Sequence, residues 1–304
     1  MNICHILARH FKCYRNAAGG AGKYIDPIPD GLEYFVLGST SAASAYDFQS
    51  LGVNGFNGAV GPQTVSYDYR LLEKFYTKIK NGGVIIWSPC VFSLCIAEYD
   101  KLPQHLRYYY ILDRRNIHNG NKITEVYAVA YPIMRLVLSP IKRFLLPLLG
   151  FIKHELFANH AAKRQQCSTT TVQKSAEGYY CGWGREFKFD DKSISGLPDM
   201  DKRMEYCLAH LKKIIELCWQ NQLRFAVVIP PVSKSMLQYV SHQDLERYLL
   251  CPLRPLGDDL TIMNYFDDGR FSDDELFETA ICMNETGRRL FTKEVIERIE
   301  AENK

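Results

Sequence analysis

The stretch Tyr34-Phe35-Val36-Leu37-Gly38-Ser39-Thr40-Ser41-Ala42 decides how the rest of this chain is read. Four apolar residues, Tyr34 to Leu37, are short enough for a buried strand. Gly38 breaks the run. Three hydroxyl residues follow, then the small residues Ala42, Ala43 and Ala45. A strand, a tight turn and a helix start would hold one hydroxyl at the carboxyl edge of a sheet. The backbone N–H groups of the helix start would face whatever it touches. Open α/β sheets bind ligands at that edge. A strand followed by a Ser/Thr helix cap is the plainer reading of the same residues.

Working outward, a helix is expected from about Ala42 to Leu51. Gly55 to Thr64 then reads as a short strand running into a glycine-rich loop, which allows close backbone approach to a ligand or serves as a strand-to-helix turn. Leu71, Leu72, Phe75, Tyr76 and Ile79 predict a helix over Ser66 to Lys80, ended by Asn81-Gly82-Gly83. Val84-Ile85-Ile86-Trp87 is β-branched and aromatic, a buried strand stopped by Ser88-Pro89. Regular order returns with a helix over Asp201 to Gln222, a strand at Phe225 to Ile229 and a helix near Ser235 to Leu250. A strand at Leu260 to Tyr265 and a helix from Asn284 to Glu300 complete it. This alternation argues for a parallel sheet with helices on both faces. The strands Glu33–Leu37, Val84–Trp87 and Phe225–Ile229 are expected to be parallel and adjacent or nearly so, because helical crossovers join parallel strands.

Two regions depart from the alternation. Residues 1–31 read as a loose lead-in, with small residues at Ala17 to Gly22 and turn chemistry at Asp26 to Gly31. Residues of about 100–171 read as a helical insertion. Within it, Ile133 to Ile152 is nearly apolar but carries Arg135, Lys142 and Arg143, with Pro140 and Pro147 inside. Those residues argue against a membrane span. A kinked helix fits them, and so does a helix lying at a membrane interface with its basic residues at the headgroups. Cys167 to Thr171 and the aromatic-glycine stretch Glu177 to Gly184 read as loops, the latter a plug for the core or a ligand platform.

Hydrophobic residues make up 47% of the 304 and charged residues 23%, enough apolar material for a sizeable core. The net charge of +3 is too small to argue for nucleic acid, and no RNA-binding or zinc-finger signature accompanies it. The ten cysteines form no C-x-x-C pair and several sit in apolar runs, which in a chain this long suggests a reducing compartment rather than a disulfide framework; no metal site is expected. The apolar run Ile6 to Ala8 is too short for a signal peptide. The expected setting is cytoplasmic with no cofactor, and peripheral contact with a membrane stays open.

A family resemblance becomes visible at the far end. Tyr265 to Phe277, leading into Cys282-Met283-Asn284-Glu285-Thr286-Gly287, resembles the last block of bacterial SGNH/GDSL-type hydrolases. There a D-x-x-H pair precedes an L-N-x-x-G helix start. Leu37 to Ala42 is similar to the family's G-x-S nucleophile turn. Gly55 to Thr64, followed by Tyr67-Asp68, resembles its second block, which supplies an oxyanion-hole N–H. Gly178 to Gly184 resembles a tyrosine-glycine-tryptophan stretch in some bacterial members. The resemblance spans about two-thirds of the chain. It implies a flavodoxin-like three-layer α/β/α fold with a central parallel sheet: a single domain over residues 32–304. It also implies ester hydrolysis or acyl transfer, often on carbohydrate esters.

Carried over position by position, most of the catalytic parts are replaced. The nucleophile position holds Thr40, flanked by Ser39 and Ser41. The acidic position is Thr279 and the histidine position is Cys282. Pro62 stands where a glycine is expected and has no N–H to donate, leaving Gly61 as the candidate oxyanion donor. No asparagine follows the strand Val84 to Trp87. A threonine hydroxyl needs a base, and losing it costs orders of magnitude in rate. Two readings follow from the resemblance. One is a non-catalytic protein that keeps a cleft for an acyl or carbohydrate-ester ligand or a partner. The other is an active esterase or acyltransferase that uses Ser39 or Ser41 with a histidine from elsewhere, such as His154, His160 or His242.

Overall fold

β1 (Leu32–Gly38) is buried along nearly its whole length, as its continuous apolar run requires of a strand covered on both faces. In this computed structural model, which describes residues 3–98, 102–138, 171–187, 199–257 and 260–302, β1 lies inside a five-stranded parallel sheet. Its order is β2 (Gly55–Asn57), β1, β3 (Ile79–Ser88), β4 (Arg224–Ile229) and β5 (Ile262–Asn264). The three strands expected to be parallel neighbours are β1, β3 and β4. Leu37 pairs with Trp87, and Trp87 with Val227. The chain leaves β1 for one edge and returns on its other side, so winding reverses between β1 and β3. That is the topological switch point, where a crevice opens beyond the carboxyl ends of the strands.

The helices in chain order are α1 (Ile3–His10), α2 (Lys12–Ala18), α3 (Thr40–Ala43), α4 (Val65–Phe75), α5 (Leu102–Leu106), α6 (described over 122–138), α7 (Thr171–Phe187), α8 (Met200–Gln220), α9 (Lys234–Leu237), α10 (His242–Leu245), α11 (Cys251–Leu253) and α12 (Glu285–Ala301). α4 packs on α8 against one face of the sheet, and Trp87 reaches Asp68 of α4. Tyr34 lies three residues before Leu37, the register partner of Trp87, so it points to the opposite face. There its hydroxyl donates to Glu300 of α12 at 2.6 Å. Helices therefore cover both faces, and the architecture is three-layer α/β/α. Phe291 of α12 fills this second layer edge-on to Tyr265 and Phe271. Asn284 caps α12 by accepting from the Gly287 N–H at 3.0 Å. A separate antiparallel hairpin, β6 (Phe277–Thr279) with β7 (Cys282–Met283), precedes that cap.

Several local expectations are corrected. The helix expected to Lys80 ends at Phe75, and Ile79 to Gly83 already belong to β3. Gly82, at φ +73°, lets the strand kink where its register against β1 shifts, instead of closing a helix. The helix expected over 42–51 is the single turn α3 followed by a 3-10 turn at Gln49–Leu51. The helix expected over 235–250 is broken, because Ser241 and Asp244 form a capping box that restarts it as α10. The aromatic-glycine segment is not a loop but the second half of α7.

The described chain divides into two compact units. The sheet, with Pro27–Asp100 and Thr170–Lys304, forms one. The other joins Met1–Asp26 to Lys101–Thr169. The lead-in expected to be loose is α1, α2 and a 3-10 helix at Gly19–Tyr24. Within that unit the Tyr14 hydroxyl donates to the Val129 carbonyl and the Tyr110 hydroxyl to that of Ala128, both at 2.8 Å. These two bonds tie α2 and the turn at Arg107–Tyr110 to α6. Among the described residues no helix is long and apolar enough to cross a membrane. Residues 139–152 of the apolar section, and the polar stretch 167–170, lie outside the described residues.

Candidate functional site

Gly38 ends β1 at φ +138°, and a Cβ there would collide with the Ser88 carbonyl oxygen of β3. A glycine is therefore required for β1 to turn sharply beside β3 and present Ser39, Thr40 and Ser41 at the carboxyl edge. The Ser39 hydroxyl accepts from the Gln63 backbone N–H at 3.2 Å. Thr40 starts α3 and lies directly against Gly61, where an added Cβ would come within 2.6 Å of Thr40 Oγ1. The glycine-rich loop thus packs closely against the turn, with no room for a side chain at Gly61. Ser41 is buried, and its hydroxyl has no hydrogen-bond partner among the described residues.

Asp68 of α4 fixes this corner from beneath. It is 2% exposed. Its carboxylate accepts from the Gly38 N–H at 3.0 Å, from the Gln63 side-chain amide and from Trp87 Nε1 at 3.2 Å. Three segments, the ends of β1 and β3 and the glycine-rich loop, converge on one carboxyl. Burial pushes that carboxyl up to about 7, against the opposing pull of Gln63, Gly38 and Trp87.

Above the turn lies a pocket of about 800 Å³, counting its open mouth. Ser39, Thr40 and Ser41 contribute its hydroxyl groups. The segment after β3 contributes Phe92, the end of β4 contributes Ile229, and Met236 comes from α9. Tyr179 and Trp183 of α7, spaced i and i+4, complete an aromatic wall, with Trp183 edge-on to Phe92 at 5.2 Å between centroids. Glu186, also on α7, is the acidic side chain of the lining.

The positions that the resemblance assigns to acid and base fall at the β6–β7 hairpin, where Thr279 and Cys282 are paired. β7 packs against α3, so Thr40 and Cys282 sit on neighbouring elements. What faces Cys282 is Tyr179, its hydroxyl 4.0 Å from the sulfur. Burial raises the Tyr179 phenol and Cys282 adds to the rise. Thr279 Oγ1 is close enough to lower it, yet among the described residues is buried without a hydrogen bond of ordinary geometry. Thr279 and Cys282 are thus side by side, with a phenol beside them.

No histidine among the described residues bonds to Ser39, Thr40 or Ser41. His242 is exposed and lies 3.4 Å from Asp267, and His210 pairs with the Tyr206 carbonyl at 2.9 Å. His154 and His160 lie outside the described residues. No cluster of three metal-ligating side chains occurs among the described residues. Sequence reasoning missed the roles of Asp68 and Gln63, and placed Tyr179 and Trp183 on a loop. The i, i+4 aromatic pair was a usable signal, hidden by the glycines at 178, 182 and 184. Compared with models of known protein families and with curated proteins, the chain matches none.

Proposed function

We propose that this chain is a hydrolase-like protein of the SGNH/GDSL kind that binds an acyl-bearing ligand and does not turn it over. The observation that carries the reading is the pocket: a mostly apolar and aromatic chamber lined also by the Ser39–Thr40–Ser41 turn. A chamber with this lining suits an aliphatic or aromatic acyl group better than a sugar ring, which would leave its hydroxyls unpaired against Ile229, Met236 and Trp183. The acyl carbonyl would lie at the hydroxyl turn. Hydrolysis there needs a base within hydrogen-bond reach of the nucleophile. The resemblance places Cys282 at that position, and Tyr179 stands against it.

The test has two arms. A fluorescent fatty-acyl probe should bind the wild type, and Val240→Trp, which fills the pocket, should weaken binding by roughly tenfold or more. A short-chain aryl ester should be hydrolysed no faster than in buffer. The triple change Thr40→Ser, Thr279→Asp and Cys282→His should raise turnover from that baseline, though only in part, because Pro62 and the missing asparagine leave the oxyanion short of donors. Robust wild-type turnover abolished by Ser39→Ala, Thr40→Ala or Ser41→Ala would replace this reading with a rearranged esterase or acyltransferase.

A further inference from the structure

The unit formed by Met1–Asp26 and Lys101–Thr169 differs in charge from the rest of the chain. It holds 15 Lys and Arg against 4 Asp and Glu, a net +11, whereas the whole chain has +3. The remainder is therefore at −8, the difference between those two values. In the same unit α6 exposes a series of large apolar side chains. Ile123 is 81% exposed, Val126 68% and Leu136 63%, and every residue from 133 to 138 is exposed. Apart from Arg135, the exposed residues from 133 to 138 are all apolar, and a helix end of this kind is favoured in an apolar surrounding. The sequence has no Asp or Glu from 126 to 154, while Arg135, Lys142, Arg143 and Lys153 fall within that run.

We infer that α6 of this unit docks onto an anionic lipid surface, inserting Ile123, Val126, Ile133, Leu136 and Val137 at the boundary between headgroups and acyl chains. The two features together favour this occupant. A nucleic acid would satisfy the charge but leave the branched side chains in water. A second copy would cover them but bring two units of +11 together. An anionic bilayer interface answers both, with Arg135 extending its guanidinium to the headgroups.

The experiment is co-flotation of the full-length chain with vesicles of phosphatidylcholine alone, or of phosphatidylcholine with phosphatidylglycerol. Binding should be at least about tenfold stronger to the anionic vesicles and should fall as salt is added. The combined change Ile133→Ser, Leu136→Ser and Val137→Ser should weaken it by about tenfold or more, with an unchanged far-ultraviolet circular dichroism spectrum. Should that variant misfold, Ile123→Ser with Val126→Ser asks the same question nearer the start of α6. Absence of wild-type binding to anionic vesicles, or full binding by a folded variant, would overturn the inference. So would binding of an oligonucleotide without vesicle binding, or self-association lost in the variant without vesicle binding.

Discussion

Replacing Asp68 by asparagine should flatten the dependence of stability on pH. Asp68 is buried, and its carboxyl is raised from 3.8 to about 7 with burial as the largest cause. The native state then keeps this proton up to about pH 7, while the unfolded chain loses it near pH 4. A raised folded value means the group's contribution is fully present below about pH 4 and is lost as pH rises through about 7. A tenfold difference in proton affinity between the two states corresponds to about 1.4 kcal/mol, so about 4 kcal/mol is lost across that window. Asp68→Asn keeps the shape and can still accept from the Gly38 N–H. It cannot ionise, so this slope disappears. Urea unfolding of both proteins, followed by circular dichroism from about pH 4 to 8, gives the two curves. The advantage of the wild type over the variant should shrink steadily with pH and reverse at the alkaline end if the amide costs no more than about 2 kcal/mol. Parallel curves across the whole range would refute the reasoning, because Asp68 would then titrate alike in both states.

Two shorter predictions concern the turn itself. Gly38→Ala forces a side chain against the Ser88 carbonyl at φ +138° and should destabilise by about 3 kcal/mol or more, seen as a large drop in thermal midpoint; full tolerance would mean that β1 does not turn as described. Ser41→Ala removes a buried hydroxyl that has no partner among the described residues and should be neutral or stabilising by about 1 kcal/mol in urea unfolding; a marked loss would reveal a hydrogen bond that the geometry does not contain.

The sequence by itself determined the sheet. β1, β3 and β4 are legible because each is a short apolar run bounded by Gly or Pro, and because their burial on both faces is a property of the segment alone. The Asn284 cap and α12 are legible for the same reason: cap, first turn and apolar spacing lie within one stretch. α7 was misread because Gly178, Gly182 and Gly184 lower helix propensity, by about 1 kcal/mol each relative to alanine. Packing of Val172 and Ala176, and the bond from the Ala280 N–H to Ser175 at 2.8 Å, override that preference. The lead-in was misread because its helices are short and find their partners about a hundred residues away, as Tyr14 does at Val129. The site divides along the same line. That Ser39, Thr40 and Ser41 stand at a strand end could be read locally. That Asp68 holds their turn, that Gln63 donates to Ser39 and that Tyr179 occupies the space before Cys282 could not. Those contacts join residues 24 to 103 positions apart. Hydrophobic periodicity reports which way a residue faces, and only the closed fold decides what it meets there.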